Sequence, residues 1–241
     1  MHYALDRAVN PLDLMRLYIK TANRLDDRGR LLETNDGLRS PAPRFFYGST
    51  SRGCCWYFGH RIEQTIADRL TALLKNENSA YDANKPISLD CYEALLDCLS
   101  SDASQLRIET GPFYWYPNAT EVSGSTELLD KADQHRLVEE LESWRDALGF
   151  YSPTAVSLDC QEVAAICCSV RKRAVAHIAG CETAVRFRGQ GHAKKAVARW
   201  VNAVQALNAV PFYNTTWANT ASQKVAAATN AAQFAVGIAI Y

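Results

Sequence analysis

Three features are missing from this sequence, and each absence excludes a class of protein. No stretch of the 241 residues approaches the ~20 consecutive apolar residues of a membrane-spanning helix, so we predict no membrane partner. An excess of charge is also missing, because Lys plus Arg and Asp plus Glu both number 26, and this balance disfavours a nucleic-acid partner. The N-terminal residues lack the basic stretch and apolar run of a secretion signal. With 48% apolar residues, the composition predicts a globular cytoplasmic protein.

Cysteine is present without the spacing of a metal site. The eight cysteines form no C-x-x-C pair, and the five histidines are scattered without zinc-binding intervals. Cys54-Cys55 and Cys167-Cys168 are adjacent pairs in stretches with an extended pattern, so the members of each pair face opposite ways. We interpret the cysteines as reduced, small hydrophobic residues and predict no metal ligand or catalytic thiol among them.

Residues 1–110 are predicted to form an α+β accessory region. Pro11 suits the first turn of a helix, and apolar residues follow it at helical spacing. Two aromatic stretches flank the turn at 50–53, which is typical of a β-hairpin. The predicted elements are a helix over 11–25, hairpin strands over 44–49 and 54–60, and helices over 62–74 and 89–99.

Residues 111–241 have a different pattern, which predicts an α/β domain. Stretches rich in valine, isoleucine and cysteine indicate the strands of a central sheet. The helix over 193–207 is the most regular, since Ala193, Val197, Trp200 and Val204 share one face. In chain order we predict a strand (113–116), a long helix (126–148), three strands (155–158, 163–170 and 174–185), a helix (193–207), a strand (210–215), a helix (218–229) and a closing strand (234–241).

The junction before helix 193–207 carries a glycine-rich turn that predicts an anion site. A strand runs into Arg188-Gly189-Gln190-Gly191, and a helix follows. Backbone N–H groups at such a helix start are free to bind phosphate, and glycine lets the backbone approach the anion closely. A Walker A loop would end in Gly-Lys-Ser/Thr, which is absent, and the dinucleotide fingerprint would need a third glycine where Lys194 stands.

Two segments resemble one family. Arg188-x-x-Gly191-x-Ala193 resembles the Arg/Gln-x-x-Gly-x-Gly/Ala signature with which the GCN5-related N-acetyltransferases (GNAT) cradle the pyrophosphate of acetyl-coenzyme A. The segment Pro211-Phe212-Tyr213-Asn214-Thr215-Thr216-Trp217-Ala218-Asn219-Thr220-Ala221-Ser222 resembles the Pro-x-Tyr-Ser-Thr-Ser-Trp-x-Asn-x-Ala-Ser segment of FR47-like members. The likeness covers roughly 113–241, and its specific matches lie between Cys181 and Val225.

The resemblance implies a fold, a co-substrate and a set of contacts. The expected fold is an α/β GNAT domain, with a mixed and mostly antiparallel sheet that splits where strands 174–185 and 210–215 diverge. Acetyl-CoA is the implied co-substrate, and the strand before the turn is expected to contact its pantetheine through backbone groups. The implied coenzyme-binding residues are Thr183, Ala184, Val185, Arg188, Gly189, Gln190, Gly191, His192, Ala193, Asn219 and Ser222.

Acetyl transfer to an amine needs a base, and the strand before the turn offers two. Glu182 and His177 are five residues apart, so they point to opposite faces of a regular strand. Histidine has a suitable intrinsic pKa of ~6.5. We prefer Glu182, because a carboxylate within a sheet needs a reason to be there.

The acid that helps the thiolate leave is missing from its family position. The tyrosine of the family pattern falls on Ala226, which has no proton to give. Tyr213 and Ser222 are the nearest hydroxyl groups in the sequence and are the predicted substitutes. Alternatively the thiolate departs unaided, which a thiol pKa of ~8.5 makes chemically tolerable.

The acceptor is weakly specified by the sequence. Residues 126–146 hold seven acidic and three basic residues, and an acidic rim at the acceptor cleft would attract a cationic amine and repel RNA. We predict an N-acetyltransferase acting on an amine of a small molecule or peptide. The alternative is an inactive module that binds acyl-CoA without transferring the acyl group.

The apolar closing strand 234–241, if it lies at a sheet edge, could pair with a second copy and form a homodimer.

Overall fold

The computed structural model describes residues 9–77, 81–99, 106–145 and 148–241. Five α-helices are described: α1 (Pro11–Ala22), α2 (Gln64–Lys75), α3 (Tyr92–Leu99), α4 (His192–Ala206) and α5 (Thr220–Ala228). The strands described are β1 (Asn23–Leu25), β2 (Leu31–Thr34), β3 (Phe45–Thr50), β4 (Gly53–Phe58), β5 (Ile108–Trp115), β6 (Thr126–Leu129), β7 (Thr154–Asp159), β8 (Glu162–Arg173), β9 (Ala176–Thr183), β10 (Val210–Asn214) and β11 (Ala232–Ile240).

The chain divides into two compact units that are discontinuous in sequence. One unit comprises Tyr114–Asn214 and Asn219–Ala232. The other comprises the described residues up to Phe113, together with Thr215–Ala218 and Gln233–Tyr241. The division of the chain at residue 110 into an accessory region and a second domain stays a prediction.

The unit that contains the N-terminal half holds the predicted hairpin. Strands β3 and β4 pair in antiparallel register from Phe45↔Phe58 to Thr50↔Gly53. Strand β11 lies between β3 and β5. A core of aromatic and aliphatic side chains from β3, α2, α3 and β11 forms on this sheet. The predicted hairpin and the helices over 62–74 and 89–99 are therefore confirmed.

The closing strand is not at a sheet edge, so that expectation is wrong. Strand β11 pairs antiparallel with β3 from Val236↔Ser49 to Ile240↔Phe45, and β5 lies on its other side. Its backbone groups are thus used within the chain. The homodimer stays a prediction, but an open closing strand no longer supports it.

The other unit confirms the predicted fold class. Its strands lie in the order β10-β9-β8-β7-β6. Strands β9 and β10 are parallel, whereas β8 pairs antiparallel with both β7 and β9 and β6 pairs antiparallel with β7. Helix α4 packs its apolar face against β7, β8 and β9, with Trp200 completely buried. The result is a mixed, mostly antiparallel sheet flanked by helices.

Strands β9 and β10 separate where the sequence predicted a split in the sheet. Their parallel pairing runs from Val210↔Ala176 to Phe212↔Ile178. Strand β9 then continues to Thr183 and β10 to Asn214, with no further residues paired between these two strands. This separation opens the sheet between the two strand ends.

The predicted helix over 126–148 is wrong. Strand β6 and two 3-10 helices, Lys131–Arg136 and Glu139–Trp144, occupy this stretch. The Asp130 side chain caps the first of them by accepting from the Ala132 N–H, and Leu137 ends it in an extended conformation. Apolar residues at helical spacing are still buried, because short 3-10 turns bring Leu137, Leu141 and Leu148 into one core cluster. Asp146 lies outside the described residues.

Two smaller features complete the fold. The predicted helix over 11–25 ends at Ala22, because Asn23 is extended and pairs with Thr34 of β2. In the described parts of the chain, no helix has the length and apolar character needed to cross a membrane.

Candidate functional site

A cleft of about 780 Å³ lies where β9 and β10 separate. Its walls come from the end of β9, the turn before α4, the first turn of α4, Tyr213 of β10 and one side of α5. Ten of the predicted site residues line it: Glu182, Thr183, Arg188, Gly189, Gly191, His192, Ala193, Tyr213, Asn219 and Ser222. The fold therefore gathers residues from three separated segments around one opening.

The glycine-rich turn has the backbone conformation that the sequence predicts. Gly189 has φ +77° and Gly191 has φ +82°, in the left-handed region that side chains other than glycine rarely adopt. Among the described residues other than the chain neighbours of each glycine, no atom lies within 4 Å of a Cβ placed on either one. Helix α4 begins at His192, so the N–H groups of its first turn have no partner within the helix. The turn thus leaves open space for an anion next to unpaired donors.

The charge around the turn suits an anionic ligand. Arg188, Lys194 and Lys224 line the cleft and are exposed, against the single carboxylate of Glu182 among the described lining residues. The Arg188 Nε donates to the Thr183 carbonyl oxygen at 3.3 Å, which ties the guanidinium to the end of β9. The His192 ring is buried and bonds through Nδ1 to the Ser157 hydroxyl at 2.9 Å. His192 can therefore offer the cleft its backbone N–H.

Three predicted coenzyme-binding residues do not line the cleft. Ala184 is buried in the core beside the sheet. Val185 begins a short 3-10 helix and is 62% exposed. The Gln190 side chain turns back and donates to the Arg186 carbonyl oxygen. The chain leaves the strand conformation after Thr183, and this departure moves Ala184 and Val185 away from the opening, whereas Gln190 is turned away by its hydrogen bond.

Glu182 reaches the cleft and is held by a tryptophan. The Trp144 Nε1 donates to Glu182 Oε2 at 2.6 Å. An indole N–H that donates to a carboxylate fixes its orientation without neutralising its charge. The sequence pattern did not indicate this contact, since Trp144 lies on a stretch that was expected to be helical and 38 residues away.

Tyr213 and Ser222 form a hydroxyl pair. The sequence suggested them only because both carry hydroxyl groups and lie near Ala226 along the chain. Their oxygens are 2.7 Å apart. The Asn219 side chain caps α5 by accepting from the Ser222 N–H at 3.0 Å, which fixes the start of the helix. Burial raises the pKa of Tyr213 well above its usual range, and the nearby Cys181 thiol adds to the rise. Tyr213 therefore keeps its proton throughout the neutral pH range.

His177 is a core residue and does not line the cleft. Its Nδ1 bonds to the Ser169 hydroxyl at 2.8 Å, and the Trp200 Nε1 donates to that same hydroxyl at 3.0 Å. Burial, with a smaller contribution from the charge of Lys172, lowers the pKa of His177 to about 4. Among the two candidate bases, only Glu182 faces the opening.

His177→Gln is expected to flatten the dependence of stability on pH. The folded-state pKa of about 4 is below the ~6.5 of an unfolded histidine. The contribution of His177 to the free energy of unfolding is therefore fully present above about pH 6.5 and is lost as the pH falls through about 4. Between about pH 7 and about pH 4, the wild-type free energy of unfolding should fall ~2 kcal/mol more than that of the variant. Urea unfolding measures this. His135→Gln, at an exposed histidine, should match the wild type. Parallel profiles for His177→Gln and wild type would contradict the expectation.

Ala226 cannot be exchanged for the family's tyrosine without disturbing the core. It is completely buried and packs in the cluster that contains Trp200, Tyr116 and Tyr213. Neighbouring residues of α5, such as Ser222 and Val225, line the cleft instead. A side chain at position 226 therefore points into the protein interior, and Tyr213 is the tyrosine that the cleft contains.

Ala226→Tyr is expected to lower the free energy of unfolding by about 1–3 kcal/mol, because the larger side chain overpacks a filled core. Urea unfolding provides the measurement. Ala227→Tyr, on the exposed side of the same helix, should change stability by less than about 0.5 kcal/mol. Unchanged stability together with faster acetyl transfer in Ala226→Tyr would show that the position faces the chemistry after all.

Sequence reasoning missed part of the lining. Phe187, Lys194, Thr220, Ala221, Lys224, Val225 and Ala228 also line the cleft. Lys194 could have been found from the sequence, because it stands three residues after Gly191 in the first turn of the predicted helix. Lys224 could not, since its approach depends on how α5 packs.

The acidic stretch expected at an acceptor rim is not in the cleft. None of its described acidic residues lines the opening. Several are paired instead, as in Glu127–Arg136 at 2.7 Å and Glu142–Arg145 at 2.5 Å. Most of the stretch packs its apolar residues against the sheet and exposes its charges to water.

Comparisons with known proteins find similarity at the level of solved structures. No family model and no curated protein matches the chain. Three of the solved structures similar to it are described as GNAT-family or GCN5-related proteins. A GNAT-family protein from Novosphingobium aromaticivorans shares 13% identity with a TM-score of 0.45, over 56% of this chain and 64% of its own. The chain therefore covers less than two thirds of that structure's length.

The other two structures are comparable. A GCN5-related N-acetyltransferase-like protein from Streptococcus suis shares 18% identity with a TM-score of 0.44, over 63% of this chain and 68% of its own. A GNAT acetyltransferase from Colwellia psychrerythraea shares 15% identity with a TM-score of 0.47, over 77% and 75%. The FR47-like subdivision stays a prediction.

Proposed function

We propose that this protein is an acetyl-CoA-dependent N-acetyltransferase that acts on an amine of a small molecule or peptide. One observation carries the proposal. A single cleft contains the Gly189–Gly191 anion turn, the Glu182 carboxylate and the Tyr213–Ser222 hydroxyl pair. A binding turn, a base and a proton donor are the three elements that acetyl transfer from a thioester to an amine requires.

The residues present fit the coenzyme. Its diphosphate would lie at the Gly189–Gly191 turn, where a side chain would fill the space and the helix dipole favours negative charge. Arg188, Lys194 and Lys224 supply positive charge around it. Strand β9 beyond Ile178 stays paired with β8 but is no longer paired with β10, so the backbone groups on its β10 side are available to the amide groups of pantetheine.

The cleft residues divide the chemistry between them. Acetyl-CoA supplies the activated acetyl group as a thioester. Glu182 accepts a proton from the incoming ammonium group, and Trp144 keeps its second oxygen in place. Tyr213, which stays protonated and is linked to Ser222, donates a hydrogen bond to the departing thiolate. Because a thiol has a pKa of ~8.5, this hydrogen bond is sufficient help at neutral pH.

The proposal is tested by coupling a binding measurement to a turnover measurement. Calorimetric titration with acetyl-CoA measures binding, and thiol release from acetyl-CoA over a panel of amines measures transfer. Cys160 is an exposed free cysteine, so an amine-free blank with the same protein concentration is required. Binding together with amine-dependent thiol release is the expected result. Absence of binding would end the proposal.

The second candidate is an acyl-CoA-binding module without activity. It is favoured by Ala226, because the residue at the family's tyrosine position is a buried core alanine. This module predicts coenzyme binding and no thiol release with any amine. The same pair of measurements therefore separates the two candidates. For either candidate we propose a cytoplasmic protein without nucleic-acid or membrane partners. We also propose a homodimer, which sedimentation tests.

A further inference from the structure

Two cysteine thiols meet in the wall of the cleft, and the proposed acetyl transfer uses neither. Cys167 of β8 lies directly opposite Cys181 of β9 in the antiparallel register. Cys167 belongs to a buried core cluster, and the Cys181 side chain packs against that cluster. Cys167 is completely buried, whereas Cys181 is partly exposed and lines the cleft. One thiol of the pair is therefore accessible to a ligand and the other lies behind it.

The strand register suits a disulfide between these two residues. Opposite residues of an antiparallel pair have Cα atoms about 4.5–5.5 Å apart, inside the ~4.4–6.8 Å range of disulfides. The neighbouring Cys168 has no cysteine opposite it on β9. It points to the other face of β8 and lies opposite Gly180, which has no side chain. Cys168 is thus buried like Cys167 but faces no cysteine on β9, and it serves as the matched control.

We propose that Cys181 and Cys167 form an oxidisable dithiol, and that the disulfide form of coenzyme A is its preferred oxidant. The choice of oxidant rests on the proposed function, because a cleft that holds the diphosphate of coenzyme A on its glycine turn would bring the coenzyme sulfur to the end of β9. Glutathione disulfide has the same reactive bond but no diphosphate. The cleft would therefore select between two oxidants of equal chemistry.

The reaction takes two exchange steps. The Cys181 thiolate attacks one sulfur of the coenzyme A disulfide, a Cys181–coenzyme disulfide forms, and one coenzyme A thiolate leaves and takes up a proton. Cys167 then loses its proton and attacks the Cys181 sulfur. The Cys167–Cys181 bond forms and the second coenzyme A leaves as a thiol. Two protein thiols are oxidised and one disulfide is reduced, so electrons balance.

The order of the steps follows from burial. Cys181 reacts first because it lines the opening, while Cys167 has no exposed surface. Burial also raises the pKa of Cys167 well above that of a free thiol, which slows the second step. The mixed disulfide occupies the cleft while it lasts, and a dithiol reductant restores both cysteines. The cleft is thus blocked only until the Cys167–Cys181 disulfide forms.

The experiment compares coenzyme A disulfide with glutathione disulfide on the reduced, full-length protein. Free thiols are then blocked with N-ethylmaleimide, and intact mass and peptide mapping locate each disulfide. We expect wild-type protein to yield the Cys167–Cys181 linkage. C167S should accumulate coenzyme A on Cys181, C181S should yield neither product, and C168S should behave as wild type. The rate at which Cys181 reacts is divided by the rate for exposed Cys160. This ratio should be at least about tenfold higher with coenzyme A disulfide than with glutathione disulfide.

Two results would overturn the proposal. The absence of a Cys167–Cys181 peptide in oxidised wild-type protein overturns the dithiol, and this reading needs no variant to fold. Equal preference of Cys181 and Cys160 for the two oxidants overturns the selection of coenzyme A. Calorimetry with acetyl-CoA reports separately on the proposed function. Binding without oxidation would overturn only the dithiol, and oxidation by glutathione disulfide without acetyl-CoA binding would overturn the function and the selectivity.

Discussion

Gly191→Val is expected to abolish measurable acetyl-CoA binding. Gly191 has φ +82° and precedes the first residue of α4, and apart from its chain neighbours no described residue lies within 4 Å of a Cβ at this position. A valine there would fill the space in which the anion lies, and its β-branched side chain disfavours a positive φ. Loss of two or more hydrogen bonds to a charged group, each contributing about 1.5–3 kcal/mol, predicts affinity at least about 100-fold weaker. Calorimetric titration of the folded variant with acetyl-CoA measures this.

Gly29→Val is the matched control for backbone strain. Gly29 has φ +76°, no described residue other than its chain neighbours lies within 4 Å of its Cβ position, and it is not part of the cleft lining. Both variants should lose a similar amount of stability, on the order of 1–3 kcal/mol. Gly29→Val should nevertheless bind acetyl-CoA as wild type does. Wild-type affinity in Gly191→Val would mean that the glycine turn does not hold the coenzyme, and the proposed function would be rejected.

Glu182→Gln is expected to lower kcat by at least about 100-fold, the usual share of a general base. The change keeps the shape of the side chain, and its amide oxygen can still accept from the Trp144 Nε1. The position of the group is therefore preserved while its ability to take a proton is lost. Steady-state kinetics with a responsive amine measures kcat, and calorimetry should show unchanged acetyl-CoA binding.

Two variants separate proton transfer from other effects of this change. Glu162→Gln removes a carboxylate of the neighbouring strand that is paired with Arg186 outside the cleft, and it should leave kcat unchanged. Trp144→Phe removes the donor that orients Glu182, and it should lower kcat by about tenfold, the value of one hydrogen bond to a charged group. If the Glu182→Gln variant kept the wild-type kcat, the general base would be another group or an ordered water.

The anion turn was predictable from the sequence because its determinants are local. Two glycines, separated by one residue, stand between a strand and the regular apolar face of α4. Their positive φ values and the start of the helix at His192 follow from residues within a few positions of each other. For the same reason the hairpin of β3 and β4 and the strands β7, β8 and β9 were predicted close to their observed bounds.

The stretch over 126–148 was misread because periodicity does not fix the type of helix. Leu137, Leu141 and Leu148 are buried as a helical stripe predicts. Two 3-10 turns and an extended link at Leu137 bury them as well as a continuous helix would, and the Asp130 cap favours the break. The place of Trp144 beside Glu182 depends on this local geometry, so it was beyond the sequence pattern.

The sequence by itself determined the glycine turn, most strands and helices, and the residue types available for acetyl transfer. Only the tertiary structure decided which of them share a cleft. It placed Glu182 at the opening and His177 in the core, joined Tyr213 to Ser222, buried Ala226, and set Cys181 against Cys167. It also paired β11 with β3, close to the other end of the chain. Conformation within a segment depends on neighbours along the chain, whereas strand register and burial depend on distant residues that no local pattern identifies.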